Sequence, residues 1–243
     1  RAPFFAYAFM LTIAGVIGYI YLGRAEAAKS GVKAKAQEPI TFKEAFQIPA
    51  YRIALALSFI IGWAFFGMRS SILPLFVTES LNSTAAIVGI GFAIGALVQG
   101  LFLFRSGRAS DLKGRKYVIL LGGSIFMAGI IGLTFSFNIW MFLISMAILG
   151  VGGAYLSTAP GAIIGDVIKG KGGRVIGIFQ MSGDAGMIIG PIVVGAISDL
   201  YSFRVAFAAT AVIFSLVLIL GARLPETRKM AGSHEPTISL NDN

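Results

Sequence analysis

The chain has 243 residues, of which 56% are hydrophobic and 13% charged, with 31 glycines, no cysteine, one histidine and a net charge of +9. A soluble domain carries about 25% charged residues, so this composition excludes a disordered chain, a nucleic-acid-binding module and most soluble enzymes. Without cysteine there is no disulfide framework or thiolate metal site. The sole histidine, His234, lies in a polar tail, which leaves no histidine metal site or Ser-His-Asp triad within the apolar runs.

Seven runs read as membrane helices: residues 2–22, 51–77, 85–104, 117–137, 140–164, 175–197 and 205–222. A hydrocarbon core about 30 Å thick takes roughly 20 helical residues to cross. Gly and Pro inside such a helix are tolerated where packed neighbours satisfy the freed backbone groups. The fold expected is an all-α, polytopic membrane helix bundle of seven spans. Residues 24–50 form a linker of Ala, Lys, Glu, Gly and Ser, a flexible composition. Its last part carries Phe42, Ala45, Phe46 and Ile48 and predicts a short interfacial helix ahead of Pro49. Beyond residue 222 the polar sequence reads as a disordered tail.

Basic residues fall in alternate connections. Every Lys and Arg except Arg1, Arg69 and Arg204 lies in the linker or just past its end at Arg52, in 105–116, in 169–174 or at the start of the tail. Such residues collect on the cytoplasmic side. That places these connections and the carboxyl tail in the cytoplasm, with the chain multi-pass in a cell (inner) membrane and its amino end outside. The positive charge then implies a lipid bilayer as partner and no nucleic acid.

The first and last runs resemble one another. Arg1-Ala2-Pro3-Phe4 opens one and Arg204-Val205-Ala206-Phe207 the other, and each closes on a Gly/Arg/Glu cluster, at Gly23 to Glu26 and at Gly221 to Glu226. They are offset by six spans, as in transporters built from parallel repeats. On this reading residues 1–23 are the last helix of an otherwise missing amino-terminal half and 24–50 a cytoplasmic linker. Residues 51–222 are a carboxyl-terminal six-helix bundle and 223–243 the tail. The missing half is an expected partner.

The connection Gly107-Arg-Ala-Ser-Asp111-Leu-Lys-Gly114-Arg115-Lys116 resembles the short cytoplasmic loop motif of the major facilitator superfamily. Gly107 would permit a tight helix exit, and Asp111 could accept hydrogen bonds at a helix amino end. Gly114 would turn the backbone, and Arg115 would pair with a carboxylate; Asp166 is a candidate partner for Arg115 or for Arg108. The resemblance implies that these five residues act as a cytoplasmic gate. Gly186-Met-Ile-Ile-Gly190-Pro191-Ile-Val-Val-Gly195 is similar to a helix pattern of the superfamily's antiporters. Small residues four apart let helices cross closely, and Pro191 bends the helix. The end, Leu224-Pro225-Glu226-Thr227, resembles the P-E-T that closes many of these chains. What the resemblance implies is a secondary transporter, without cofactor, that moves a small-molecule substrate by alternating access. Proton-coupled efflux is the first expectation and uptake of a polar solute by symport the alternative. A membrane-embedded enzyme would need clustered carboxylates or a nucleophile–base pair, which the spans lack, and no phosphate-binding G-x-x-x-x-G-K-[ST] loop is present.

Two charges are stranded in apolar runs. A charge near the bilayer centre costs at least about 2.5–3.5 kcal/mol, so it faces a partner or a wet cavity. Asp184 stands about 15 Å along its helix from Arg174, near the midplane, and Arg69 about 25 Å from Arg52, in the outer half. Both are candidates for the substrate or proton pathway. Gln99, Gln180, Tyr155, Ser157 and Thr158 are further candidate polar residues, with Trp63, Phe65 and Phe66 as aromatic walls.

Overall fold

The computed structural model describes residues 2–29, 41–167 and 172–225, in two units, Arg1–Gln37 and Glu38–Asn243. The described part of the first unit is one helix, α1 (Ala2–Lys29). The rest of the expected linker (30–40) and the tail beyond 225 lie outside the described residues.

The second unit is all helix. It comprises α2 (Phe42–Gln47), α3 (Pro49–Ser80), α4 (Ala85–Lys113), α5 (Arg115–Thr134), α6 (Ile139–Val167), α7 (Gly173–Leu200) and α8 (Phe203–Arg223). Helices α3 to α8 are the six among the described residues that are long and apolar enough to cross a membrane. The seventh span expected over 2–22 falls in α1, whose described apolar stretch, Tyr7–Ile20, is shorter than the 18 residues of such a span. Helix α2 stands where the short amphipathic helix is expected. The Thr41 N–H donates to Glu44 Oε2 at 3.0 Å, which holds the Glu44 carboxyl below its usual range, Ala45 is buried, and Phe46 stays exposed.

Helix α6 is the hub: half of its apolar window is buried, against 17% for α4. Its glycines admit its neighbours. Phe126 of α5 lies against Gly152, with its Cα 2.7 Å from where a Cβ would stand, and Gly150 meets the backbone of Gly95 on α4. Phe126 stacks on Phe65 at 5.1 Å and meets Phe214 at 4.9 Å, so one ring ties α3, α5 and α8 together.

Two local features depart from the sequence expectation. Helix α3 widens to i→i+5 bonding over Trp63–Ile72 and Phe76–Ser80: Leu73 N–H donates to the Met68 carbonyl and Leu81 N–H to that of Phe76 at 3.1 Å. Pro74 lies between the two stretches. Having no N–H and a ring that crowds the preceding turn, it breaks the α-helical ladder there. The other departure is at 105–116, expected as a loop. Helix α4 continues through it to Lys113, because no residue before Gly114 breaks the ladder, and the chain reverses at Gly114 alone, with φ 96°. That conformation suits glycine and strains other residues. Gly107 is therefore no helix exit; it lies within α4, with nothing within 4 Å of where its Cβ would be.

Candidate functional site

Helices α3 and α7 cross backbone against backbone. A Cβ on Gly186 would run into the Phe59 carbonyl and stand 2.9 Å from the Trp63 nitrogen; one on Gly67 would stand 2.7 Å from the Gly190 carbonyl carbon. Gly195, the last glycine of the pattern, touches nothing within 4 Å of its Cβ position. Three side chains fasten the same crossing. The Ser182 hydroxyl donates to the Leu55 carbonyl at 2.8 Å, Ser58 to Phe179 at 3.5 Å, and the buried Tyr51 hydroxyl to Val175 at 2.9 Å. In the sequence Ser58, Ser182 and Tyr51 are marked only as a small hydroxyl or a tyrosine on the face that also carries glycine.

Beside this crossing, α3, α6 and α7 enclose an open cavity of about 350 Å³. Phe65 and Phe66 from α3, Leu156, Ser157 and Pro160 from α6, and Gln180, Asp184 and Met187 from α7 line it. Of the residues singled out above, the cavity brings together Asp184, Gln180, Ser157, Phe65 and Phe66. The helical rise puts Asp184 roughly 16 Å along α7, and its side chain is exposed on the cavity. A carboxylate and an amide in an apolar, aromatic hollow are the usual dress of a small-molecule pocket.

The other candidates stand elsewhere. Thr158 turns to α4, its hydroxyl 2.8 Å from that of Ser106, which also donates to the Ala154 carbonyl. Tyr155 packs its Cβ over Gly122 of α5, and Gln99 lies on Gly153. Trp63 is buried rather than a cavity wall, and its indole nitrogen has no hydrogen-bond partner among the described residues. Arg69 lies within the widened turn, its guanidinium carbon 5.9 Å from the Phe65 ring centroid and 5.6 Å from that of Phe92. It faces α4 at Gly95, and the two rings stabilise the cation through their π faces. Phe65 thus separates Arg69 from the cavity.

At one end of the bundle Arg115 ties three helices. Its Nε donates to Asp166 Oδ2 at 3.0 Å and its Nη2 to Oδ1 at 3.4 Å, a forked grip on α6. Its Nη1 donates to Asp111 Oδ1 at 3.0 Å and to the Ser110 carbonyl at 2.6 Å, both on α4. Arg115 and Asp166 are 13% and 14% exposed, whereas Asp111 is 74% exposed. The Asp166 pair is accordingly the stronger, since water and salt screen Asp111. The amino cap of α5 is Gly114, so Asp111 serves the guanidinium and does not occupy that cap position.

Six apolar helices of membrane-crossing length, three of them around an open hollow, with an arginine–carboxylate knot at one end, define a multi-pass membrane helix bundle. The model of the Major Facilitator Superfamily matches residues 55–239, and the chain belongs to that superfamily. Multidrug resistance protein MdtG of Rahnella sp. (strain Y9602) is 34% identical over 168 residues, which cover 65% of this chain and 39% of that protein. MdtG of Proteus mirabilis (strain HI4320) is 34% identical over 161 residues, 63% of this chain and 39% of that one. Among solved structures, a peptide transporter POT in complex with sulfate superposes with a TM-score of 0.65 at 24% identity, over 75% of this chain and 38% of that one. The POT family transporter PepTSo gives 0.62 at 18% identity, over 72% and 37%; both are likenesses of fold. The chain spans about 39% of the length of the curated relatives it matches.

Proposed function

We propose that this chain supplies one half of a proton-coupled efflux transporter for small amphiphilic molecules, working by alternating access. The observation that carries the reading is the α3–α6–α7 cavity, in which one mid-span carboxylate, Asp184, stands among aromatic and aliphatic walls. Such a hollow takes a lipophilic body on Phe65 and Phe66 and a cationic or proton-bearing group at Asp184. In this proposal a second six-helix half closes its open side, in keeping with the chain spanning about 39% of the length of its relatives. The likeness to proteins named multidrug resistance protein supports efflux as the direction. The test is loss of a lipophilic cationic dye from energised cells that express the full-length protein. Expression should speed dye loss, and collapsing the proton gradient should abolish the gain; a gain that survives the collapse refutes proton coupling.

On this reading the Arg115 knot is a gate, and it holds the end of the bundle shut by binding α6 to α4 and α5. Asp166→Asn should slow transport about tenfold, while equilibrium binding of the dye stays within a few-fold. Asp111→Asn should act in the same direction and more weakly, as its exposure demands. Loss of dye binding with turnover of bound dye intact would put these residues in the substrate path instead.

The knot and the carboxyl tail face the cytoplasm in this proposal. The chain has no native cysteine, so single cysteines report cleanly. Asn138 and Arg108 are both exposed, at opposite ends of the bundle, whereas Ser110 is buried. A membrane-impermeant maleimide on intact cells should label Asn138→Cys and spare Arg108→Cys; the reverse pattern inverts the topology.

A further inference from the structure

A second hollow, about 310 Å³, lies between the start of α3 and the end of α8 and is lined by Pro49, Arg52, Ile53, Leu220 and Arg223. We propose that it binds the phosphate of an anionic phospholipid headgroup.

Both helices cross the membrane, and Arg52 and Arg223 stand in the first and last turns of α3 and α8. The hollow therefore sits at the membrane–water boundary, where lipid phosphates lie. Two cations line one cavity, and no carboxylate among the described residues forms an ion pair with either. Like charges gathered without a counter-charge are stabilised by an anion between them. The guanidinium fork matches phosphate oxygens in pairs. The rest of the wall is Pro49, Ile53 and Leu220, apolar surface suited to glycerol and the head of an acyl chain. Directly before α3, α2 carries exposed Lys43 and Phe46, a cation and an aromatic ring of the kind that rests on a membrane surface. Basic pockets between membrane helices at this level are where anionic headgroups are held. The shared chemistry is a phosphate oxyanion, and the lipid is favoured over a free ion because of the depth and the apolar wall. The inference is independent of the transport proposal and needs only that the chain is embedded in a bilayer.

The test uses the full chain in detergent, titrated with dihexanoyl phosphatidylglycerol, dihexanoyl phosphatidylcholine or inorganic phosphate, and reads thermal unfolding. Phosphatidylglycerol should raise the unfolding temperature saturably, with little effect from the other two. Arg52→Gln with Arg223→Gln should raise the half-saturating concentration about tenfold or more. Arg105→Gln with Arg108→Gln removes as much charge from exposed positions on the same side of the bundle and should leave it unchanged. An equal loss in that second pair, an equal effect of phosphatidylcholine, or full stabilisation by inorganic phosphate would each overturn the proposal. If the Gln pair does not fold, Arg52→Lys with Arg223→Lys takes its place. Those lysines keep the charge and lose the fork, and an affinity unchanged from wild type would overturn the guanidinium grip.

Discussion

Gly186→Leu is expected to abolish the folded protein, whereas Gly195→Leu, nine residues further along the same helix, is expected to leave it intact. The two glycines belong to one sequence pattern, but the structure separates them. At Gly186 a Cβ would collide with the Phe59 carbonyl and crowd the Trp63 nitrogen. Both are main-chain atoms of a packed helix, which cannot turn aside as the end of a side chain can. Overpacking of a well-fitted core costs about 1–3 kcal/mol, and forcing two backbones apart belongs at or above the top of that range. Against a total stability of about 5–15 kcal/mol that is a large share. At Gly195, which is half-buried, nothing lies within 4 Å of the Cβ position, and a substitution away from packed features shifts stability by about 0.5 kcal/mol or less. Size-exclusion profiles and thermal unfolding of the two variants in the same detergent measure the contrast. Equal behaviour of the pair would mean that α3 and α7 do not cross on glycine.

Asp184→Asn should remove proton-driven transport from the full-length protein while leaving substrate exchange. Asparagine keeps the size and hydrogen-bonding shape of the protonated acid but can neither take up nor release the proton. If Asp184 carries the coupling proton, net efflux driven by a pH gradient falls by at least about tenfold, equivalent to about 1.4 kcal/mol on the barrier, and the remaining activity loses its pH dependence. Exchange of labelled for unlabelled dye across vesicles, which needs no net proton movement, continues. If Asp184 instead contacts a cationic group of the substrate, cationic dyes lose binding and neutral ones do not. Normal transport by Asp184→Asn at every pH would leave the carboxylate as an exposed group of α7 with no part in transport and place the pathway elsewhere.

Much of this architecture was legible because a bilayer makes coarse demands. Apolar runs of sufficient length had to become helices, and the limits of α3 to α8 differ from the expected ones mainly where charged residues prolong a helix, as α4 does to Lys113. The arginine knot was legible too, since Gly114 and Arg115 have few uses at that spacing and Asp166 was the acid at the matching helix end. Rotational placement was not. Tyr155, Ser157 and Thr158 are neighbours on one helix, yet only Ser157 reaches the cavity, because a residue turns about 100° from the one before and the apolar sequence of α6 carries no polar face from which to fix the phase. The widening of α3 was hidden for a related reason. Whether a helix answers a proline such as Pro74 by kinking or by widening depends on its neighbours, which the sequence does not place.

The glycine crossing also bears on how such a bundle could move. Side-chain interfaces can slide, because rotamers re-engage after a small shear. An interface made of two main chains in contact, and pinned by hydroxyls at Tyr51, Ser58 and Ser182, has no such gearing. On that geometry α3 and α7 are expected to travel as a single plank, which leaves any opening or closing of the cavity to its third wall, α6, where Pro160 inside the helix withdraws one backbone N–H from the ladder and Ser157 lies on the cavity.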